Sequence, residues 1–290
     1  MTLKTYRLTD ELTRREFDSY CIIPSYIGAE EASVKTEYFG EMYDSPVMIS
    51  TLSGLDNVSL SKAAVMTNTL DWNGVMPVET GLAILETGVP AILSSKPLAD
   101  LDRILEMIRL YAEHGAKGFV MDADFIFDNT SGYYRNHEKF GQMGRKTIDD
   151  LNAMVNASSL PIIVKGILGV PDALACKEAG VKGVVVSHHM GVMETAVPPL
   201  RMIPLIRQAV GDDMYIFADC GIRSGCDVFK ALALGADGAL VGRPLVEAFA
   251  KGPEAVAEIL DRYTNELRYY MSITGSKDIN HINREAVMKL

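Results

Sequence analysis

Four short apolar runs in the third quarter of the chain constrain its fold more than any other feature. Ile162-Ile163-Val164 leads into Lys165-Gly166, and Gly183-Val184-Val185-Val186 leads into Ser187-His188-His189. A third run ends in Asp219-Cys220-Gly221-Ile222-Arg223, and Ala239-Leu240-Val241 ends in Gly242-Arg243-Pro244. Helical patterns over 171–179, 200–210 and 227–234 separate them. Parallel neighbours need a crossover, usually a helix, so strand and helix in alternation build a parallel sheet. In such sheets binding and chemistry sit at the carboxyl ends of the strands. Here those ends carry a lysine, two histidines, an aspartate and two arginines among glycines.

The rest of the chain keeps the rhythm. Residues 46–51, 90–94 and 118–122 read as buried strands, with a further strand within 67–76. Residues 59–66, 98–114 and 253–272 read as helices. The chain has 290 residues, 48% of them hydrophobic. Eight strands with intervening helices then predict a single α/β domain over residues 1–290, a (β/α)8 TIM barrel, which typically needs about 250 residues. A polar helix over 9–17, with acids in its first turn, is expected to close one end of the barrel, and 253–272 to form a C-terminal helix. Residues 123–145, rich in Asn, Gly, Tyr and charge, break the rhythm as a long loop of the functional kind.

The net charge is −10, from 38 acidic and 28 basic residues, which argues against non-specific binding to nucleic acid or to an anionic membrane. Four cysteines without CxxC or metal-ligand spacing predict reduced thiols and no metal site. No apolar leader core opens the chain, and no run approaches the roughly 18 apolar residues of a membrane span, so the expected location is cytoplasmic.

The strand ends carry candidate chemistry. Gly221 and Gly242 follow apolar strands and open the next helix, where backbone N–H groups can approach an anion. Arg223 and Arg243 supply forked donors suited to phosphate. The plain alternative is two tight turns with solvated arginines. Lys165 closes an apolar strand and points into the barrel mouth, as a charge beside a cofactor, a Schiff-base amine, or half of a buried salt bridge. His188 and His189 cannot both face one pocket. One is expected to serve the site as a general base and the other to pack. Asp219 is placed to orient such a histidine or to cap the next turn.

These stretches resemble the FMN-dependent α-hydroxy-acid oxidase and dehydrogenase family. Pro161–Gly166 is similar to its LPI-x-VKG strand, and Val185 with Ser187-His188-His189 to its V-S-N-H. Residues 219–227 resemble D-G-G-V-R-R-G-T-D. Phe229 opens an FKALALG run, and Val241-Gly242-Arg243-Pro244 resembles I-G-R-P. The similarity is strong over 160–283 and weak but collinear from about 15 to 159. The resemblance implies that Lys165 contacts the flavin N1/O2 edge and that Ser187 contacts the flavin. It implies His189 as catalytic base, with Asp219 as its partner. Gly221, Arg223, Gly242 and Arg243 would hold the FMN phosphate. Ser50 and Thr51 would lie along the ring, Ser94 stands where the family has a Gln, and Asp124 matches an Asp after strand four.

The departures cluster on the substrate side. The family's G-G-R-Q-L-D, whose Arg grips the substrate carboxylate, reads here as Met190-Gly191-Val192-Met193-Glu194-Thr195. Lys96 stands for a family Tyr. Val192 cannot replace an arginine, because charged hydrogen bonds are worth about 1.5–3 kcal/mol each. Lys96, Arg135 and Lys139 are the available cations, and Lys96 or Arg135 is expected to take over anion binding. The implied activity is FMN-dependent oxidation of a small hydroxylated, 2-hydroxy-acid-like substrate by hydride transfer, with substrate contacts at His189, Lys96 and Arg135. The alternatives are an FMN-dependent isomerase of the type 2 isopentenyl-diphosphate kind, a flavin-binding protein without turnover, and a flavin-free barrel using Lys165 as a Schiff base. The resemblance also implies a homo-oligomer, by default a homotetramer.

Overall fold

The computed structural model describes residues 7–190 and 192–290. The first six residues, part of the leader-free reading, lie outside them. Eight parallel strands form the sheet: β1 (Val47–Ile49), β2 (Asp71–Trp72), β3 (Ala91–Ser95), β4 (Gly118–Asp122), β5 (Ile162–Ile167), β6 (Gly183–Val186), β7 (Tyr215–Ala218) and β8 (Gly238–Val241). Their order is β1-β8-β7-β6-β5-β4-β3-β2, with every neighbouring pair in that order parallel. A parallel bridge between Leu52 and Asn73 closes the ring between β1 and β2. The (β/α)8 barrel expected from the alternating pattern is therefore present.

Helices wrap the barrel: α1 (Arg7–Asp18), α2 (Asn57–Thr67), α3 (Val78–Glu86), α4 (Leu101–Glu113), α5 (Ile148–Val155), α6 (Val170–Glu178), α7 (Pro199–Val210), α8 (Gly225–Ala233), α9 (Arg243–Phe249) and α10 (Pro253–Ile273). Helix starts follow ordinary capping chemistry. The Asp56, Asp100 and Ser224 side chains accept first-turn N–H groups, and Thr147 forms a reciprocal capping box with Asp150. A two-residue strand explains why the pattern within 67–76 was weak: β2 has only Asp71 and Trp72 to pair.

The barrel interior has two layers set by the two-residue strand period. Met48, Trp72, Ile92, Val120, Ile163, Val185, Phe217 and Leu240, one from each strand, form an apolar layer. Tyr38 and Tyr43, from a short hairpin before β1, pack against that layer, and Tyr38 donates to the Asp237 carbonyl at 2.8 Å. Two residues further along each strand stand Ser50, Gly74, Ser94, Asp122, Lys165, Ser187, Asp219 and Gly242. On every strand the inward position that follows the apolar one is polar, charged or glycine.

Asp71 faces the other way, toward α2. It is fully buried and accepts from the Asn73 amide at 2.7 Å. Burial raises its pKa to about 6, against the smaller opposing effect of hydrogen bonds from Ser61 and Asn73. The folded state therefore binds more protons than the unfolded chain between about pH 4 and 6, and this group's contribution to stability falls as pH rises through that window. Asp71→Asn is expected to remove that slope and to raise stability at pH 7 by about 3 kcal/mol, since the rise spans about two pKa units at about 1.4 kcal/mol each. Urea denaturation of both proteins from pH 4 to 8 checks it.

Candidate active site at the carboxyl ends of the strands

The polar layer is organised around a buried ion pair. Lys165 Nζ bonds Asp219 Oδ2, and Ser187 Oγ donates to the same oxygen at 2.9 Å. Ser50 Oγ donates to Asp219 Oδ1 at 3.2 Å. Burial by itself would lower the Lys165 pKa, but the charges of Asp219, Cys220 and Asp122 leave it raised. Burial by itself would raise that of Asp219, and the Lys165 ammonium instead holds it below the usual carboxylate range. Both groups are ionised at neutral pH. An ammonium held in this way is no free amine nucleophile, which removes the basis for a Schiff base at Lys165.

The two histidines have different surroundings. His188 is buried. Its Nδ1 accepts from the Met190 N–H at 3.1 Å, so Nε2 carries the proton and donates to Thr13 Oγ1 at 2.9 Å. The Thr13 hydroxyl in turn donates to the Thr9 carbonyl at 2.7 Å. Burial pushes the His188 pKa down to about 4, so the ring stays neutral. His189 turns into the mouth because His189 and Met190 both adopt left-handed backbone, with φ of 52° and 58°.

The carboxylate hydrogen-bonded to His189 is Asp124, not Asp219. Nδ1 lies 2.6 Å from Asp124 Oδ2. A carboxylate only accepts, so Nδ1 bears the proton and the neutral ring leaves Nε2 as its basic atom. Asp122 Oδ1 lies 3.6 Å from that Nε2. Asp219 is unable to fill the role because Lys165, Ser187 and Ser50 already claim its oxygens. Gly166 makes the Asp124 contact feasible. A Cβ there would lie 2.4 Å from Asp124 Cγ, and its φ of +93° suits glycine.

Lys96 also differs from expectation. Its ammonium bonds Asp122 Oδ2 at 2.6 Å and sits 3.6 Å from the centre of the Phe125 ring. It is buried and committed to those partners, which hold Asp122 ionised. Although burial opposes this, the charges of Lys96 and Lys165 lower the Asp122 pKa. Arg135 stacks on the same ring at 4.8 Å and donates to the Phe127 carbonyl at 3.3 Å, while its Nε is buried without a hydrogen-bond partner. His189 meets the Phe125 ring edge-on at 5.1 Å. One phenyl ring therefore gathers Lys96, Arg135 and His189. Lys139 is exposed on the loop.

Arg223 and Arg243 converge on a single oxygen. Asp10 Oδ1, in the first turn of α1, lies 2.6 Å from Arg243 Nη2 and 3.4 Å from Arg223 Nη2. The Asp10 carboxylate stands in for an anionic oxygen, and its position shows that the two guanidiniums can share one. Gly221, at φ +89°, passes close beneath α1, and a Cβ there would come within 2.7 Å of Thr13 Cγ2. At the rim, Thr51 Oγ1 and Ser94 Oγ are buried and without hydrogen-bond partners. Unpaired buried hydroxyls near a convergent pair of arginines and an ionised lysine are chemically suited to a polar-edged ring with a phosphate tail. The residues present fit FMN.

Sequence reasoning missed Asp122, Phe125, Asp10 and Thr13 as members of this region. The two-residue period from Val120 could have flagged Asp122. No local signal links Asp10 to residues more than 200 positions away. Breaking the central pair should be costly, because removing one partner of a buried ion pair costs roughly 3–5 kcal/mol. Lys165→Met is expected to lose that much stability. Lys165→Met combined with Asp219→Asn should recover part of it, as read by thermal and urea unfolding.

Residues 129–289 match the family model described as FMN-dependent dehydrogenase. The chain is 41% identical over 136 residues to an L-lactate dehydrogenase of Caulobacter vibrioides, covering 46% of this chain and 36% of that protein. It is 39% identical over 140 residues to a peroxisomal (S)-2-hydroxyacid oxidase of Arabidopsis thaliana, covering 48% of this chain and 39% of that one. These matches thus span little more than a third of the curated relatives' length. A solved structure of a mandelate oxidase variant with a monooxide FMN adduct superposes with a TM-score of 0.85 at 25% identity, covering 99% of this chain and 93% of that one. Among the described residues no helix is long and apolar enough to cross a membrane, and no cluster of His, Cys, Asp and Glu could hold a metal ion. With more than half of its length matched by the family model, the chain belongs to the FMN-dependent dehydrogenase family.

Proposed function

We propose that this protein is an FMN-dependent oxidoreductase that oxidises a small 2-hydroxy acid at the mouth of the barrel. The observation that carries the reading is His189, held at Nδ1 by Asp124 with Nε2 as its basic atom, above a buried ionised Lys165. Bound FMN would supply the two-electron acceptor for the hydrogen leaving the substrate's α-carbon. His189 Nε2 takes the hydroxyl proton, and the Asp124 carboxylate stabilises the imidazolium that results. Lys165 would place a fixed positive charge beside the flavin, which gains negative charge on reduction. Ser187 and Ser50 hold its partner Asp219. Ser50, Thr51 and Ser94 would contact the ring, and Gly221, Arg223, Gly242 and Arg243 would hold the phosphate.

Arg135 takes the substrate carboxylate that Val192 cannot hold. Its Nε keeps an unused donor, whereas the charge of Lys96 is taken up by Asp122. Lys96 acts instead through Asp122, by keeping a second carboxylate beside His189. The four free thiols fit a reduced, cytoplasmic setting, and we read the working form as a homo-oligomer.

The test starts with the visible spectrum of the purified protein after incubation with FMN and desalting. Flavin bands at about one FMN per chain are expected, and a colourless protein would remove the reading. His189→Ala should slow anaerobic flavin reduction by a 2-hydroxy acid about 10²–10⁴-fold, the range for a general base. Arg135→Ala should lower kcat/KM about 10- to 100-fold, the range for lost charged hydrogen bonds, with little change in flavin content. Full activity in Arg135→Ala would end its assignment.

A further inference from the structure

The residues suited to the FMN phosphate already hold an anion supplied by the chain itself. Asp10 Oδ1 bonds Arg243 Nη2 at 2.6 Å and lies 3.4 Å from Arg223 Nη2. This is no stray surface contact, because the helix that carries Asp10 is tied down on the same loops. Arg14, one turn on, clamps Asp227 through two bonds of 2.9 Å and donates to the Gly221 carbonyl at 3.2 Å. Thr9 Oγ1 lies 2.6 Å from the Glu194 carbonyl and accepts from the Ala196 N–H at 3.2 Å. Thr13 Oγ1 accepts a hydrogen bond from His188 Nε2. Helix α1 therefore spans the loop after β6 and the two arginine-bearing loops after β7 and β8, with a carboxylate set between the arginines.

A carboxylate and a phosphate oxygen make the same demand on a guanidinium: an anionic acceptor in the plane of its N–H fork. Two guanidiniums aimed at one oxygen cannot satisfy Asp10 and a phosphate at that point at the same time. Like charges brought together there repel, so the phosphate either displaces Asp10 or binds beside it at a cost.

We propose that Asp10 is a built-in competitor for the cofactor phosphate, which sets how tightly the phosphate end of FMN is held and ties loading of the cofactor to a shift of the first turn of α1. The competition is specific to the phosphate and leaves the ring contacts around Lys165, Ser94 and Thr51 untouched. It rests on the phosphate assignment of Arg223 and Arg243 in the proposed function.

The experiment is a fluorescence-quenching titration of the apoprotein with FMN and with riboflavin, which has the same ring and no phosphate. Parent, Asp10→Asn and Asp10→Glu are compared. Asp10→Asn is expected to bind FMN about ten-fold tighter or more, the scale of a lost charge-assisted interaction, with riboflavin affinity unchanged. Asp10→Glu, which keeps the charge, should stay near the parent. An Asp10→Asn protein with unchanged or weaker FMN affinity would overturn the proposal and leave the flavin reading standing. Equal gains for riboflavin and FMN would also overturn it, because the effect would then not act through the phosphate. If no protein binds either flavin, the flavin reading fails, and thermal unfolding in inorganic phosphate decides the competition alone. A larger stabilisation of Asp10→Asn than of the parent supports it, and equal shifts refute it.

Discussion

The change from apolar to polar side chains along the inward face of the barrel strands is the constraint on which the rest of this structure depends. In a strand, alternate side chains share a face. The inward faces of the eight strands therefore gather Met48, Trp72, Ile92, Val120, Ile163, Val185, Phe217 and Leu240 in one dry cluster. The next inward position on each strand has to be polar, small or charged, because it borders the mouth. Lys165 and Asp219 fall in that layer on β5 and β7, with Ser187 on the strand between them. Their ion pair is buried, so each charge depends on the other. The dry layer below keeps water from reaching them from beneath.

Above that layer the site is built from two separate clusters of charged and polar groups. Lys165, Asp219, Ser50 and Ser187 form the first. Lys96, Asp122, Asp124, Arg135 and His189 form the second, around Phe125. Each cation in these groups other than Arg135 has a carboxylate partner within hydrogen-bond reach. This pairing explains how a buried lysine can sit beside His189 without a free charge. Asp122 arrives on the adjacent strand and absorbs its charge.

The loop over 123–145 and helix α1 then finish the two ends of the site. The loop turns back on itself, with Phe127 stacked on Tyr134 at 5.1 Å, and brings Arg135 to Phe125. Helix α1 lies over Gly221, Arg223 and Arg243. The expectation that a polar N-terminal helix closes one end of the barrel matches its position on the loops after β6, β7 and β8. Its sequence could not say that Asp10 would land between two arginines. That meeting joins residues more than 200 positions apart and depends on where the helix docks.

Legibility in the sequence followed the range of the physical signal. The alternation of strand and helix, the position of each strand end and the phosphate-suited glycine and arginine pairs are local. Lys165, Ser187, Asp219, Arg223 and Arg243 could be named from pattern and resemblance. Partnership was harder to read, because a hydrogen bond depends on distance in space and the strand ends converge only when the ring closes. Asp219 stood in the right layer, but Lys165 reached it first, and the partner of His189 came from the loop after β4 through the space left by Gly166. The sequence by itself determined the barrel, its two-layer interior and the residues that face its mouth, since these follow from short-range periodicity. Only the tertiary structure decided which charges pair, which histidine is free to act and which arginine keeps an open donor, because those depend on how the loops and helix α1 pack over the closed ring.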